Sequence, residues 1–373
     1  MTQYILYIIG AFILSMGCGF VFIPLILNFC KKKGLYDKPD SRKIHKNAIP
    51  RLGGLSFLPS MLLASVVMLL FFNMQFLGKQ IMLSSWSVAF FFCLLIIYGT
   101  GLVDDLVGLG AKTKFTAQAV ASIILTMSGL YINNLYGFMG VDEIPYAIGA
   151  PLTVFVVVFI SNAINLIDGI DGLSGGLSLI ALAGFEYGFF QKEMPAYCIL
   201  MAGLMGVIIA FLYFNLLGKA EQGRKIFMGD SGSLTLGFIL GFLFVKLTMD
   251  NPRVSDFVPY AMVLAYSLLI VPVYDVIRVS LVRIRHRVPI FQADKNHIHH
   301  KLMRAGLSQH GALACILLLA LFFVGVNMVL RLCMSLTLIV CCNIVMWLAF
   351  HAIVNRFIVK KGSPVYLPNT SEK

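Results

Sequence analysis

Long apolar stretches alternate with short polar ones along the whole chain. Eleven of the apolar stretches are each long enough to cross about 30 Å of hydrocarbon as an α-helix. They cover residues 4–29, 55–73, 84–103, 115–132, 150–165, 173–190, 196–217, 232–249, 257–282, 312–332 and 334–355. The pattern predicts an all-α polytopic membrane protein with about 11 transmembrane helices, made of one integral-membrane domain (1–355) and a tail (356–373).

The composition agrees with this prediction. Of the 373 residues, 59% are apolar and only 12% are charged, and the mean hydropathy is +0.88. Repeated uncharged runs of about 20 residues fit a membrane protein far better than a soluble core. The first run has no basic segment before it and is followed by three lysines at 31–33, so we expect it to remain as a helix.

The distribution of basic residues predicts the orientation. An odd number of spans places the two termini on opposite sides, and an external N-terminus puts 24 of the 29 Lys and Arg residues inside. The inner segments are then 31–54, 104–114, 162–172, 218–231, 278–311 and 356–373. The positive-inside rule therefore predicts a cytoplasmic C-terminus. Topology explains most of the net charge of +12 without a nucleic-acid partner, and the basic face would attract anionic lipids and phosphorylated substrates.

Five aspartates lie at the inner ends of the predicted helices. They are Asp104 and Asp105 at the end of the third helix, Asp168 and Asp171 at the end of the fifth, and Asp230 at the start of the eighth. Carboxylates at this depth are costly unless they meet a cation, a proton or a water-filled cavity. A cap or an ion pair with a neighbour such as Lys114 explains any single one equally well, but five on one face indicate a functional site.

The stretch "NAINLIDGIDGLSGG" (162–176) shows how such a site would form. Asn162, Asn165, Asp168 and Asp171 are spaced by three and would share one stripe of a continuous helix. The glycines that follow Asp168 instead predict that the helix breaks there. A broken helix leaves polar groups lining a cavity at the inner interface, where only protein or water can cover them.

The carboxylate oxygens of aspartate and the carboxamide oxygen of asparagine favour magnesium, which usually keeps water and phosphate oxygens among its ligands. The segment "MGDSGS" supports a phosphate-bearing substrate, because the free N–H groups at the start of a helix attract anions. Read alone, Ser231 in this segment is better explained as a helix cap.

Two basic segments complete the inner face. Residues 31–54 hold eight Lys and Arg, with proline and a glycine pair that predict a structured loop. Residues 283–311 hold five of the seven histidines, including "HIHH", for which zinc binding and phosphate or carboxylate binding both stay open. Asp275 and Arg278, three apart in the ninth helix, are expected to form an intramembrane ion pair.

Four of these motifs, in this order, resemble the polyprenyl-phosphate N-acetylhexosamine-1-phosphate transferase family. They are "PRLGG", "DD" before a basic stretch, "NAINLIDGIDGL", and "FMGDSGS" with a downstream "HIHH". The chain is most similar to the branch that makes polyprenyl-pyrophosphoryl-GlcNAc for surface polysaccharides such as lipopolysaccharide O-antigen. The peptidoglycan branch typically has PTMGG, a lysine at the place of Gly108, and three adjacent histidines.

The resemblance implies a set of roles. The catalytic residues would be Asp104, Asp105, Asp230, His297, His299 and His300. The substrate-binding residues would be Lys112, Lys114, Asn162, Asp168, Asp171, Phe227, Arg51 and His45, with Phe227 stacking on uracil. Asp230 and Asn165 would hold Mg²⁺ or Mn²⁺. The cytoplasmic active-site loops would be 31–54, 104–114, 162–176, 218–233 and 283–311.

The implied reaction joins a UDP-sugar and undecaprenyl phosphate at the cytoplasmic face of a bacterial inner membrane. An oxygen of the lipid phosphate attacks the β-phosphorus and UMP leaves, so positioning and electrostatics supply most of the catalysis. UDP-GlcNAc is the expected donor; UDP-MurNAc-pentapeptide and a UDP-linked 2-acetamido-6-deoxyhexose stay open, as does a homodimer. A cation-coupled transporter would also hold acids in a helical bundle, but it would place them at the midplane and contain an internal repeat.

Overall fold

The computed structural model describes residues 2–36, 48–75, 84–250, 260–289 and 295–367. Within these ranges the protein contains twelve α-helices and one β-hairpin. The helices are α1 (Thr2–Lys33), α2 (Phe57–Gln75), α3 (Ser85–Val107), α4 (Ala111–Met127), α5 (Tyr146–Ile167), α6 (Leu173–Gln191), α7 (Pro195–Leu212), α8 (Asp230–Thr248), α9 (Ala261–Arg285), α10 (Ile298–Arg304), α11 (Gln309–Leu330) and α12 (Leu336–Lys360). A 3₁₀ turn (Gly53–Ser56) precedes α2 and a π turn (Tyr213–Leu217) follows α7.

The multi-pass helical architecture predicted from the sequence is confirmed. Among the described residues, ten helices are long and apolar enough to cross a membrane. They correspond to ten of the eleven predicted spans. The remaining span, 115–132, coincides with α4, which has only 17 residues, so the count of eleven stays a prediction. The short α10 lies in the histidine-rich loop and was not predicted as a helix.

Helix α8 lies at the centre of the bundle. Of its most apolar 18-residue stretch, 94% is buried, against 22% for α1 and for α11. A helix that is apolar on all sides is expected in the interior, whereas the exposed apolar side chains of α1 and α11 suit contact with lipid. Small residues allow α5 to approach α8 closely, because a Cβ at Gly237 would lie 2.6 Å from the Cα of Ser161.

The β-hairpin joins α4 to α5 and was not predicted from the sequence. Its strands, β1 (Asn134–Phe138) and β2 (Val141–Glu143), pair antiparallel around a turn in which Gly137 and Gly140 have positive φ. The hairpin lies at the end of the bundle opposite the N-terminus of α8. Asn133 donates from its amide to the carbonyl of Asp250 (2.6 Å) just beyond the C-terminus of α8.

The predicted inner loops meet at the other end of the bundle. Gly53 bonds to Phe227, Asp105 to Asp230, and Asn296 to Leu367 beyond α12. A Cβ on Gly169 would also collide with His299. Segments predicted separately as active-site loops are therefore neighbours. The final helix, α12, extends to Lys360 and so includes the first residues of the predicted tail.

Candidate active site

The "PRLGG" segment forms a support beneath the N-terminus of α8. The backbone N–H of Phe227 donates to Pro50 (2.8 Å), and the N–H groups of Gly53 and Gly54 donate to Phe227 (2.9 Å) and Met228 (2.8 Å). A Cβ on Gly54 would lie 2.1 Å from the Cα of Gly232. Only glycine permits this approach, so the glycine pair fixes the loop against the start of α8.

Asp105 caps α8 from outside the helix. Its two carboxylate oxygens accept hydrogen bonds from the backbone N–H groups of Asp230 (2.8 Å) and Ser231 (2.9 Å). These N–H groups lack partners within the helix, and the positive end of the helix dipole favours a carboxylate. Arg51 donates to the backbone carbonyl of Asp105 (2.9 Å) and ties α3 to the "PRLGG" loop. Asp105 therefore holds Asp230 in place.

Asp104 and Asp230 face each other across Lys114. The Lys114 ammonium lies 3.0 Å from Oδ2 of Asp104 and 3.4 Å from Oδ2 of Asp230. Asn165 donates to Oδ1 of Asp230 and to the Ser233 hydroxyl, the latter over 2.8 Å. The Asp230 side chain is 29% exposed and that of Asp104 only 6%, so Asp230 is the carboxylate that a bound ligand reaches more readily.

Asp168 lies where α5 breaks, as the glycines predicted. The helix ends at Ile167, and the half-buried Asp168 is its C-cap residue. Burial, together with the negative charges of Asp230, Asp171 and Asp105, raises the pKa of Asp168 to about 8. A carboxyl surrounded by like charges in this way gains from a bound cation.

Asp171 is paired on all sides and joins three loops. Its carboxylate accepts from Lys225 (2.7 Å), from Gln309 at the start of α11 (3.2 Å) and from Asn215 (3.4 Å). Asn215 also accepts from the N–H of Gly172 (2.7 Å). These three partners were missed in the sequence; the available signal was Asn215, a single polar residue within the apolar run "FLYFNLLG".

The other predicted substrate-binding residues have varied surroundings. Asn162 donates to the buried Gln118 of α4 (2.7 Å) and so joins α5 to α4, one turn before Asn165. Phe227 is half-buried beside the "PRLGG" loop, and Lys112 is exposed at the start of α4. His45 lies outside the described residues, and its role stays a prediction.

Helix α10, which we call the histidine helix, is anchored to α9 through Asp275. This buried aspartate accepts from Arg278 (2.8 Å), from Nδ1 of His297 (2.8 Å) and from the N–H of Ile298 (3.0 Å). The predicted Asp275–Arg278 ion pair is confirmed. His297, one of the predicted catalytic residues, is therefore bonded to an aspartate of α9.

His299 connects the histidine helix to the carboxylates. Its ring is 2% exposed, and neither ring nitrogen has a hydrogen-bond partner. A Cβ on Gly169 would lie 2.3 Å from Nε2, so the ring packs directly on the loop next to Asp168. Burial and the neighbouring His300 and His297 lower the pKa of His299 well below its usual value. The imidazole is neutral at physiological pH, with His300 at 4.2 Å between ring centroids.

The arrangement suits magnesium better than zinc. Among the described residues, no three His, Cys, Asp or Glu side chains group together as a metal site. Magnesium needs only one or two carboxylates, because water and phosphate oxygens complete its octahedron. The carboxylate of Asp230 offers oxygen ligands of this kind, and the Asn165 side chain, whose amide nitrogen donates to it, lies beside it. Burial and the nearby carboxylates together raise the pKa of Asp168.

Comparison with known proteins agrees with the motifs. Residues 87–248 match the model of glycosyl transferase family 4. The chain is 32% identical over 325 residues to a probable undecaprenyl-phosphate N-acetylglucosaminyl 1-phosphate transferase of Bacillus subtilis (strain 168), covering 85% of this chain and 83% of the relative. It is 30% identical over 314 residues to the undecaprenyl-phosphate alpha-N-acetylglucosaminyl 1-phosphate transferase of Escherichia coli (strain K12), covering 83% and 81%.

The chain belongs to glycosyl transferase family 4. A protein of Yersinia pestis with the same name as the Escherichia coli relative is also 30% identical, over 322 residues that cover 86% of this chain and 81% of the relative. The family match (87–248) contains all five aspartates of the site and Lys114, whereas the histidine helix lies beyond it. Family 4 membership also removes the basis for the transporter alternative.

Proposed function

We propose that this protein transfers N-acetylglucosamine-1-phosphate from UDP-N-acetylglucosamine to undecaprenyl phosphate and releases UMP. One observation carries the proposal: in a family 4 chain, Asp104, Asp168 and Asp230 lie together at the ends of apolar helices. A site of this kind can hold a pyrophosphate while the tail of a lipid acceptor stays among the helices. The names of the relatives support the acceptor and the sugar.

The chemistry is a displacement at phosphorus. A lone pair on an oxygen of the lipid phosphate forms a bond to the β-phosphorus of the UDP-sugar. The bond from this phosphorus to the bridging oxygen breaks, and its electron pair leaves with UMP. Asp104, held by Lys114 at 3.0 Å, accepts the residual proton of the lipid phosphate or acts through its charge alone. The bond between sugar and phosphate is not broken.

We place Mg²⁺, or Mn²⁺, on Asp230 and Asn165. Bound there, the cation would offset charge on the pyrophosphate of the substrate. Asp105 keeps Asp230 oriented through the N–H groups at the start of α8. In this proposal Asp105 is a positioning residue, whereas Asp104 and Asp230 contact the reacting groups.

The remaining residues bind the substrates in this proposal. Asp168 and Asp171 line the nucleotide pocket, where Phe227 stacks on uracil. The phosphates and the sugar are contacted by Lys112, Lys114, Arg51, Asn162, His45 and the histidines His297, His299 and His300. The neutral ring of His299 acts as a hydrogen-bonding group and not as a fixed positive charge.

The proposal includes a location and an orientation. The N-terminus lies outside a bacterial inner membrane, and the site and the tail lie in the cytoplasm, because 24 of 29 basic residues then lie inside. The products would supply cell-envelope polysaccharide synthesis. An alkaline phosphatase fused to the C-terminus should be silent and a fluorescent protein fused there should be bright. The reverse pattern would refute the orientation.

A labelled donor tests the reaction itself. Purified protein, Mg²⁺, undecaprenyl phosphate and UDP-GlcNAc labelled at the β-phosphorus should give UMP and a labelled lipid. Because one pyrophosphate replaces another, labelled UMP added to the lipid product should regenerate labelled UDP-GlcNAc. Label found in released UDP would refute the mechanism. Transfer only from UDP-MurNAc-pentapeptide or a UDP-linked 2-acetamido-6-deoxyhexose would correct the sugar and keep the reaction.

A further inference from the structure

The chain folds back after α12 and reaches the residue that precedes the histidine helix. The side-chain amide of Asn296 donates to the backbone carbonyl of Leu367 (3.1 Å), and the backbone N–H of Leu367 donates back to the side-chain Oδ1 of Asn296 (3.1 Å). This reciprocal pair fixes the backbone of Leu367 on the side-chain amide of Asn296. Tyr366 adds a ring stacked on His286 at 3.9 Å with an interplanar angle of 3°.

Asn296 is the residue through which the segment after α12 binds to the start of the histidine helix. Its side chain is buried, and it directly precedes His297. Arg278 of α9 donates to the backbone carbonyl of Asn296. The backbone of Asn296 is thus held by α9 and its side chain by the C-terminal segment, which restricts both the position and the direction of the histidine helix.

An apolar cluster extends this connection to the carboxylates. Val365 packs against a buried cluster that includes Ile298 of the histidine helix, Ile358 of α12, and Ile167 and Ile170 on either side of Asp168. The C-terminal segment, the histidine helix and the loop that carries Asp168 and Asp171 therefore share one hydrophobic core. On this core the His299 ring lies against Gly169.

We propose that residues 363–367 form a strap that positions the histidine helix against the Asp168 loop, with Asn296 as its anchor. Without the strap, Asp275 still holds the start of the helix. The helix then lacks the hydrogen bonds at Asn296 and the packing of Val365, so the contact between His299 and Gly169 is less well fixed. The effect on turnover rests on the proposed function. Because small displacements of substrate-positioning groups slow a reaction strongly, we expect a lower kcat with a smaller change in KM.

Two truncations separate the strap from the residues after it. A chain that ends at Gly362 lacks the strap and should lose about tenfold or more in kcat. A chain that ends at Leu367 keeps both hydrogen bonds to Asn296 and should stay within about twofold of the full chain. Equal activity of the two truncated chains would overturn the proposal.

Substitutions test the individual hydrogen bonds. Leu367→Pro removes the N–H that donates to Asn296 and should reproduce the loss, whereas Leu367→Ala keeps the backbone and should not. Asn296→Ala should cost the full chain as much as the strap deletion does. In the chain that ends at Gly362, the same substitution should cost no more than about twofold, because both hydrogen bonds to Leu367 are already gone, although the Asn296 side chain keeps its 3.5 Å contact with Arg304. If Asn296→Ala lowered kcat by the same factor in the chain that ends at Gly362 as in the full chain, the proposal would be overturned.

Amide hydrogen exchange gives a readout that does not depend on activity. In the chain that ends at Gly362, exchange should rise in the histidine helix and stay unchanged in α5 and α8. A uniform rise in all helices would show general destabilisation and refute a positioning role. If the full chain transfers no sugar phosphate while exchange responds locally as expected, the proposed function fails and the strap stands.

Discussion

The site combines two clusters of ionisable side chains, one with mostly acidic members and one with mostly basic members. The carboxylate cluster consists of Asp104, Asp105, Asp168 and Asp230, with Lys114 between two of its members. The histidine cluster consists of Asp275, Arg278, His297, His299 and Lys301. In the first, aspartates outnumber the ammonium; in the second, one aspartate faces several cationic or neutral groups. The two clusters meet where His299 packs on Gly169.

The difference between the clusters is also seen in the pKa values of their members. Asp168 has its pKa raised to about 8 by burial and by Asp230, Asp171 and Asp105, which marks a place for a cation. Lys301 has its pKa lowered to about 7 by burial and by the positive charges of Arg278 and Arg304, and its ammonium lies 3.4 Å from Nδ1 of the buried His351. The carboxylate cluster therefore favours a bound cation, whereas the aspartate of the histidine cluster is already paired within the protein.

The largest expected effect comes from Asp230→Asn. Removal of the proposed magnesium ligand and its charge should reduce kcat by about 100-fold or more, because the phosphate charge would no longer be offset. The folded state should be as stable as the parent or slightly more stable, since one of several neighbouring carboxylates is gone. Turnover within about threefold of the parent would exclude Asp230 as a ligand. Asp250→Asn, beyond the opposite end of α8, is the matched control and should leave kcat unchanged.

The same substitution in the histidine cluster should have the opposite consequence for stability. Asp275→Asn removes the fully buried carboxylate with which Arg278 is paired. Breaking a buried ion pair by removing one partner costs about 3–5 kcal/mol of unfolding free energy. Thermal unfolding in detergent should therefore start well below that of the parent and of Asp230→Asn. If Asp275→Asn and Asp230→Asn unfold at the same temperature, the two clusters do not differ as described.

Third in size are the changes expected at the nucleotide pocket. Asp168→Asn and Asp171→Asn should raise KM for the nucleotide sugar several-fold and lower kcat less, because in the proposed function these residues bind the donor without touching the reacting bond. Lys225→Gln should resemble Asp171→Asn, since it breaks the 2.7 Å ion pair. Steady-state kinetics at varied UDP-GlcNAc would measure this. A fall in kcat at constant KM would contradict the placement of both aspartates in the nucleotide pocket.

The sequence predicts the carboxylate cluster better than the histidine cluster, for a physical reason. Charged residues at the ends of apolar helices are costly, so Asp104 and Asp230 stand out in the sequence by position alone. Glycines predicted the break after Ile167 for the same kind of local reason. The helices themselves follow from hydropathy, because the bilayer requires long uncharged spans.

Contacts between distant segments escape this reasoning. Nothing local in the sequence indicates that Asp105 caps α8, that Lys225 and Gln309 share Asp171, or that Asn296 pairs with Leu367. The partners are far apart in the sequence, and only the packing of the bundle brings them together. The β-hairpin was missed because its short strands lie in a loop between two long apolar runs.

The smallest effect concerns pH and follows from Asp168. Its folded pKa of about 8 lies above the unfolded value, so this group contributes stability below about pH 4 that is lost as the pH rises through 8. Without divalent cations, the unfolding temperature should therefore fall between pH 6 and 8.5. Asp168→Asn should make this fall shallower by about 1–3 °C. Mg²⁺ should have a similar effect on the parent, because a cation on the neighbouring Asp230 would offset the negative charge that, together with burial, raises the pKa of Asp168. Asp142→Asn, on the exposed hairpin at the opposite end, should keep the slope of the parent. An identical slope in Asp168→Asn and the parent would show that the carboxylate cluster does not hold this proton.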